Sequence, residues 1–249
     1  MIFNHSIIKS FLFFILMNFI LNKLPSGFVY INDVDKSIIV NLKYYTKDNF
    51  IGERVPHYKA NKGILTKKAA IALSKAQEKF LSKGYSIVVY DSYRPASSVR
   101  YFVDWMNDPN DTKRKKYHYP YVENKIDMKD EYISSKSGHS KGSTVDMTII
   151  DVNKQLLKES VYHEREFNGK KYPFNDDNTI DCGTSFDLMD PASWSFNNYF
   201  DFTEEQKNNR ELIRSVMESV GFKVLDSEWW HFTLENEPFP DEYYDFDIE

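Results

Sequence analysis

Two short segments far apart in the chain carry the residues that most constrain its fold. Ser137–Asp146 reads S-G-H-S-K-G-S-T-V-D and supplies His139 and Asp146, whereas Ser227–Phe232 reads S-E-W-W-H-F and supplies His231. Two imidazoles and one carboxylate form the ligand set that typically holds a catalytic zinc ion, with a fourth position left for water. The fold must therefore bring the end of the chain beside its middle, and the pattern predicts a metal-dependent hydrolase.

The spacing of His139 and Asp146 is loose, so their convergence depends on the local fold. His139 lies between two glycines, in a segment too flexible for a helix, and Asp146 is on the polar face of the strand that follows. A turn at Lys141-Gly142 would fold His139 back over that face and bring both side chains to one ion. The competing interpretation is a loop histidine and a strand carboxylate that both face solvent.

Glu228 lies three residues before His231 and is the candidate for moving protons. On a regular strand, residues three apart face opposite sides of a sheet. The two side chains line one pocket only if Glu228 belongs to the preceding turn or if a β-bulge re-aims it. The alternative is that Trp229 and Trp230 are core residues and their polar neighbours are incidental.

Arg94 follows the end of an apolar stretch and is held by Pro95. A fixed guanidinium group there would stabilise an oxyanion or bind a carboxylate. The competing interpretation is a salt bridge to Asp91. The remaining histidines without a partner at a recognisable spacing are predicted at the surface, with His118 kept as a spare ligand: His57, His118 and His163.

Length and composition suit one domain, which we assign to residues 27–249. The net charge of -5 argues against a nucleic-acid partner, because such a partner requires a basic surface. Cys182 is the only cysteine, so the chain forms no intramolecular disulfide. The sequence leaves the oligomeric state open.

The N-terminal residues are predicted to lie outside this domain. The apolar run Phe11–Leu21 follows Lys9 and ends before Pro25. It is short for a bilayer-spanning helix and typical of a secretory signal. We therefore expect residues 1–26 to be a signal peptide or an N-terminal anchor, and the protein to be exported to the periplasm or cell envelope. No stable membrane partner is expected unless this segment is retained.

Local patterns predict the remaining elements. Apolar residues recur at helical spacing between Thr66 and Gly84, and the aromatic and β-branched run Tyr85–Tyr90 is typical of a buried strand. The other predicted elements are a helix after Pro95, a strand over Ser143–Ile150, a helix opened by a capping box at Thr203–Gln206, and a hairpin of Phe222–Leu225 with Trp229–Leu234. Residues 107–136 are predicted as a surface excursion, and residues 151–179 as a loop or hairpin insertion. Helices and strands mix without a regular βαβ alternation, which predicts a single-domain α+β fold with a mostly antiparallel central sheet and flanking helices.

With the turn Tyr93-Arg94-Pro95 and the ending Glu235–Pro240, the two ligand segments resemble the zinc D-alanyl-D-alanine dipeptidases of the peptidase M15 group. The chain is similar to the enzymes of vancomycin-resistance clusters and their bacterial relatives from Asn41 to Phe246. The resemblance implies the small α+β fold shared by D,D-peptidases and the Hedgehog signalling domain. It also implies hydrolysis of a small substrate, the dipeptide D-Ala-D-Ala.

The same resemblance implies residue roles. It makes His139, Asp146 and His231 the ligands of one Zn²⁺ ion per chain, Glu228 the general base and acid, and Arg94 the group that stabilises the transition state. The implied substrate-binding residues, of which the carboxylate suits a free ammonium group, are Tyr44, Tyr58, Ser137 and Asp187. Three departures from the family pattern are Ser92 for a glycine, Cys182 for a methionine, and the length of residues 151–179.

Two other functions stay open. A peptidoglycan D,D-carboxypeptidase or endopeptidase would use the same zinc site with a longer cleft. A zinc-stabilised binding module without catalysis is a second alternative, although Glu228 and Arg94 beside the three ligands argue against it.

Overall fold

The computed structural model describes residues 24–196 and 198–249. The apolar run Phe11–Leu21, on which the signal prediction depends, lies outside these ranges. Within them, no helix combines the length and apolar character that a membrane crossing requires.

Nine strands are assigned in the described residues. They are β1 (Phe28–Tyr30), β2 (Ile39–Val40), β3 (Ile64–Thr66), β4 (Tyr85–Asp91), β5 (Thr144–Asp151), β6 (Val161–Phe167), β7 (Lys170–Asp176), β8 (Phe222–Leu225) and β9 (Glu228–Leu234). The α-helices are α1 (Ile31–Val34), α2 (Lys67–Leu81), α3 (Ala96–Asn107), α4 (Lys115–His118) and α5 (Glu204–Glu218). Short 3₁₀ helices span Lys43–Tyr45, Lys125–Met128, Gly138–Lys141 and Pro191–Ser193.

The central sheet has five strands in the order β2-β4-β5-β9-β8. β2 is parallel to β4, and every other neighbouring pair is antiparallel. The strands β1 and β3 form a small separate sheet, as do β6 and β7. The predicted α+β class with a mostly antiparallel central sheet is confirmed.

The two long predicted helices begin at the capping residues identified in the sequence. The Thr66 side chain accepts a hydrogen bond from the backbone N–H of Ala69 at the start of α2. Thr203 and Gln206 form the reciprocal capping box at the start of α5, which satisfies backbone N–H groups that a helix start leaves unpaired. Both helices pack against the sheet, where α2 contacts β4 and α5 contacts β8.

Residues 107–136 are not the simple surface excursion that was predicted. The segment buries several side chains against the core, namely His118, Tyr119, Met128 and Ile133. The Tyr119 ring packs edge-on against Trp105 of α3, with 5.5 Å between the ring centroids. These apolar residues are irregularly spaced, so no periodicity in the sequence signals their burial.

The insertion predicted for residues 151–179 is the antiparallel hairpin of β6 and β7. Behind it, a second apolar cluster is formed by Phe167, Tyr172, Leu188, Ala192, Phe200 and Phe202. The hairpin therefore packs on the residues around Pro191–Ser193.

The C-terminal strap, residues 244–248, joins the two turns that border the sheet. Tyr244 donates its backbone N–H to the carbonyl of Ser140 and accepts a hydrogen bond from the N–H of Ala96. The Phe246 ring stacks on Tyr93 with the centroids 4.0 Å apart. The strap thereby fixes the Arg94 turn relative to the His139 turn.

Candidate active site

Three neighbouring strands place three polar side chains in one row across the sheet. Asp146 of β5 is the register partner of Asp91 on β4 and of His231 on β9. A register shift between Val89 and Asp91 aligns Asp91 with Asp146. The whole stretch Thr144–Ile150 is buried, so the polar face of β5 lines a covered site and does not face solvent.

His139 reaches the same row from the 3₁₀ helix Gly138–Lys141. Gly142 ends that helix in the left-handed region with φ 78°, and a Cβ atom there would lie 2.2 Å from the Phe28 ring. Only glycine fits this turn. The turn directs His139 Nε2 to 3.3 Å from Asp146 Oδ2, as the sequence hypothesis required.

The geometry of His139, Asp146 and His231 fits a metal ion. One ligand atom from each residue lies within 4.8 Å of the other two. His139 Nε2 and Asp146 Oδ1 are buried and have no hydrogen-bond partner among the described residues. A buried polar atom without a partner is costly, so these atoms call for a bound group. The group that their chemistry fits is a cation.

A hydrogen bond to the backbone of Ser92 fixes the orientation of the His139 ring. Its Nδ1 lies 2.7 Å from the backbone carbonyl oxygen of Ser92, a distance at which Nδ1–H donates. This orients Nε2 toward the cavity, and the tautomer with the proton on Nδ1 is the one that offers Nε2 to a metal. The contact uses only the backbone carbonyl of Ser92, so it does not depend on the serine side chain.

The charges of the site favour a positive ion between the ligands. Burial alone would raise the pKa of Asp146, but the imidazoles of His139 and His231 hold it below its usual range. Burial would likewise lower the pKa of His231, but the carboxylates of Asp146 and Glu228 raise it to about 10. The carboxylates therefore stabilise positive charge at the place where a metal would bind.

A register shift in the hairpin of β8 and β9 explains how Glu228 and His231 face the same side of the strand. Val224 pairs with Phe232 but Leu225 pairs with Glu228, so the register shifts between these two pairs. Glu228 Oε2 consequently lies 3.2 Å from His231 Nδ1, on the same side of the strand. Both Trp229 and Trp230 are buried, so this stretch contributes to the core and to the site together.

Arg94 makes the predicted salt bridge and also faces the cavity. Its Nε and Nη2 each lie 2.9 Å from Asp91 Oδ2, while Nη2 is 3.6 Å from Asp146 Oδ2. The guanidinium carbon lies 5.0 Å from the ring centroids of Tyr44 and Phe102. The two interpretations of Arg94 are therefore compatible. The salt bridge to Asp91 holds the Arg94 guanidinium group in place beside the candidate ligands.

A cavity of about 890 Å³ opens over these groups. The predicted site residues that line it are Tyr44, Arg94, Ser137, His139, Asp146, Asp187, Glu228 and His231. The Tyr44 hydroxyl donates to the Asp187 carboxylate at 3.0 Å. Burial and the negative charges of Asp146 and Glu228 raise the pKa of Asp187 well above its usual range. A cationic partner would therefore stabilise the ionised form of Asp187.

Two predicted residues occupy other places. Tyr58 is buried outside the cavity lining and donates to Asp91 Oδ1 at 2.7 Å, so it supports the Asp91–Arg94 pair from behind. His118 is buried, contrary to its predicted surface position, and it is not part of the ligand cluster. His57 and His163 are exposed, as predicted, and His57 pairs with Asp247.

Sequence reasoning missed two further segments that line the cavity. Tyr132 lines the cavity, and its hydroxyl accepts a hydrogen bond from Trp194 Nε1 at 3.2 Å. Lys129–Ser134 and Lys223–Ser227 also line the cavity. Contacts between segments so far apart leave no spacing signal in the chain.

Comparison with known proteins gives a consistent result. A family model of peptidase M15, described as D-ala-D-ala dipeptidase, matches residues 25–158 and 174–249. Three similar proteins, each named D-alanyl-D-alanine dipeptidase, come from Enterococcus faecium, Enterococcus faecalis and Streptomyces coelicolor. Their identities to this chain are 31%, 33% and 34%, and the alignments cover 90% of this chain and 98% to 100% of each relative. The unmatched residues 159–173 contain β6 and the start of β7.

Proposed function

This chain belongs to the peptidase M15 family of D-ala-D-ala dipeptidases and is a peptide-bond hydrolase, and on that premise we propose that it hydrolyses D-Ala-D-Ala with one bound Zn²⁺ ion. One observation carries the proposal. His139, Asp146 and His231 converge at a cavity that Glu228 and Arg94 also line, and two of the converging atoms have no other partner among the described residues.

In the proposal, His139 Nε2, an Asp146 carboxylate oxygen and His231 hold the zinc ion. Two nitrogens and one oxygen suit zinc, and three protein ligands leave a position for water or substrate. When bound, zinc supplies a Lewis acid that polarises the peptide carbonyl and lowers the pKa of water. The Ser92 carbonyl keeps His139 in the ligating tautomer.

In the proposal, Glu228 and Arg94 supply the remaining catalytic functions. Glu228 takes a proton from the attacking water and delivers it to the leaving amine, so one carboxylate serves both proton transfers. Arg94, held by Asp91, places a fixed positive charge where the carbonyl oxygen becomes negative. Asp91 and Tyr58 keep the guanidinium in position, so it does not need to reorganise during the reaction.

The substrate class follows from the buried pair of Asp187 and Tyr44 in the cavity wall. The Tyr44 hydroxyl donates to the Asp187 carboxylate, and a cation would stabilise that carboxylate. A free ammonium group of a dipeptide fills this requirement with a charge-assisted hydrogen bond. Ser137 lines the same cavity beside His139 and is a further candidate for contacting the substrate.

A D,D-carboxypeptidase is the second candidate, because the cavity of about 890 Å³ is large for two alanine residues. A cavity of this size would accommodate a longer peptide stem. Such an enzyme accepts substrates whose penultimate D-Ala is acylated, whereas a dipeptidase requires the free amine.

The experiment compares D-Ala-D-Ala, N-acetyl-D-Ala-D-Ala and a pentapeptide stem, each with and without chelator. Leaving Asp187 desolvated and unpaired costs about 1–3 kcal/mol, and steric exclusion adds to this. We therefore expect the blocked substrates to have kcat/KM values about 100-fold lower. Asp187→Asn should reduce this difference by lowering kcat/KM for D-Ala-D-Ala. Equal kcat/KM on free and blocked substrates would favour the carboxypeptidase.

The proposed biological role is turnover or recycling of cell-wall peptide by an exported enzyme. The support is the apolar run Phe11–Leu21, which is typical of a secretory signal. The test is to express the full chain with a C-terminal tag, fractionate the cells and determine the N-terminus of the mature protein by mass spectrometry. Recovery of an uncleaved chain in the cytoplasmic fraction would contradict export.

A further inference from the structure

His118 makes two hydrogen bonds to one short segment of the cavity wall. Its ring Nδ1 lies 3.1 Å from the backbone carbonyl oxygen of Asp187. Its own backbone carbonyl accepts a hydrogen bond from the N–H of Met189 at 2.7 Å. Asp187 and Met189 both line the cavity, so one residue holds two neighbouring points of its wall.

The segment needs such support because its backbone is strained. Asp187 has φ 58°, in the left-handed region that residues with a side chain seldom adopt. A conformation of this kind persists only where the surroundings determine it. This backbone geometry directs the Asp187 carboxylate to the Tyr44 hydroxyl.

The surroundings of His118 define its hydrogen-bonding form. Arg114 Nη2 lies 3.1 Å from His118 Nε2, and because a guanidinium group can only donate, Nε2 is the acceptor. Nδ1 therefore carries the proton that is donated to the Asp187 carbonyl. Arg114 is itself anchored, since its Nε donates to the carbonyl of Asn49 at 3.0 Å. Burial, together with the charge of Arg114, lowers the pKa of His118 to about 3, so the ring stays neutral.

We propose that His118 is a positioning residue that fixes Asp187 for recognition of the free amine of the substrate. The inference rests on the proposed function, in which Asp187 binds that amine. His118 does not contact the reacting atoms in this proposal. It sets specificity by holding the carboxylate in the one orientation that reaches both Tyr44 and an incoming ammonium group.

The test replaces His118 in the zinc-loaded, full-length protein and measures discrimination between D-Ala-D-Ala and N-acetyl-D-Ala-D-Ala. His118→Leu removes the donor and puts an apolar side chain in place of the ring. His118→Asn keeps an N–H donor near the position of Nδ1, and His118→Gln moves the donor one bond further out. The matched control is His163→Leu, at an exposed histidine of the hairpin. Zinc content and melting temperature are measured for every variant.

We expect His118→Leu to reduce the ratio of kcat/KM for free over blocked substrate by about 5- to 10-fold, the effect of about one hydrogen bond. The loss should arise mainly from a higher KM for D-Ala-D-Ala. His118→Asn should retain most of the ratio, His118→Gln should lose part of it, and His163→Leu should leave it unchanged. A merely structural role would lower the melting temperature and the active fraction, but it would not change this ratio.

The outcomes separate the two proposals. A wild-type protein without dipeptidase activity refutes the proposed function and the positioning role with it. If the wild type prefers the free dipeptide over the blocked one and His118→Leu shows the same preference, the positioning role alone is refuted. If His118→Leu does not fold, the Asn and Gln variants decide, and equal ratios in both and in the wild type overturn the inference.

Discussion

Replacing Glu228 by glutamine should abolish most turnover while leaving the metal site intact. Glu228 lies beside the ligand cluster without being part of it, because Oε2 is 3.2 Å from His231 Nδ1 and the three converging ligand atoms come from other residues. Glutamine has the same shape and keeps an oxygen that can contact the imidazole. It cannot take a proton from water or return one to the leaving amine.

General acid–base groups typically contribute about 10²- to 10⁴-fold in rate. The loss in Glu228→Gln should reach the upper part of this range, since the proposal assigns both proton transfers to one carboxylate. That range corresponds to about 3–5 kcal/mol in the activation free energy. KM for D-Ala-D-Ala should change little, because the proposal assigns the ammonium contacts to Asp187 and Tyr44 and not to Glu228.

The assay measures D-alanine released by the purified, zinc-replete variant and determines zinc content on the same sample. Glu235→Gln, at an exposed position just after β9, is the matched control and should retain wild-type kcat. A Glu228→Gln protein with full zinc content and near-normal kcat would refute the reasoning. Loss of zinc with the activity would instead assign Glu228 to the ligand set.

Three further predictions concern the metal, the strap and the buried histidine. His139→Ala should lose most of its zinc by metal analysis, and full retention would point to a different ligand set. Ile248→Ala, at a fully buried position of the C-terminal strap, should lower the free energy of unfolding by about 2–5 kcal/mol in chemical denaturation; Val161→Ala, on an exposed face of the hairpin, should change it little. The pKa of His118 falls from 6.5 to about 3 on folding, so the unfolded chain binds more protons between these values. Stability should therefore decrease as pH falls from about 6.5 toward 3, and His118→Leu should show a shallower decrease in the same range.

The sequence by itself determined the local elements and the chemical character of the site. Thr66 and Thr203 fixed the starts of the two long helices, because a capping side chain satisfies backbone N–H groups within the next three residues. The alternation of Thr144–Ile150 defined a strand with a polar face. The residue types of His139, Asp146 and His231 marked them as candidate ligands, and the structure brings them together. Each of these signals depends on residues close together or on a motif of fixed spacing.

Tertiary structure alone decided how these residues face one another. The register of β4, β5 and β9 aligned Asp91, Asp146 and His231, and the shifted pairing of the last hairpin turned Glu228 to the same side. Tyr58 was predicted to contact substrate, yet its hydroxyl bonds Asp91 behind the cavity. A family motif gives the identity of such a residue but not the direction of its side chain.

The burial of His118 shows the same limit most clearly. Its segment is polar and tyrosine-rich, and nothing within it indicates contact with residues 187–189 about seventy positions later. Its hydrogen bonds join it to the Arg114 side chain and to the Asp187 and Met189 backbone of the cavity wall, which come together only in the folded protein. Sequence patterns report what a residue does with its near neighbours, whereas a network of this kind is created by packing between distant segments.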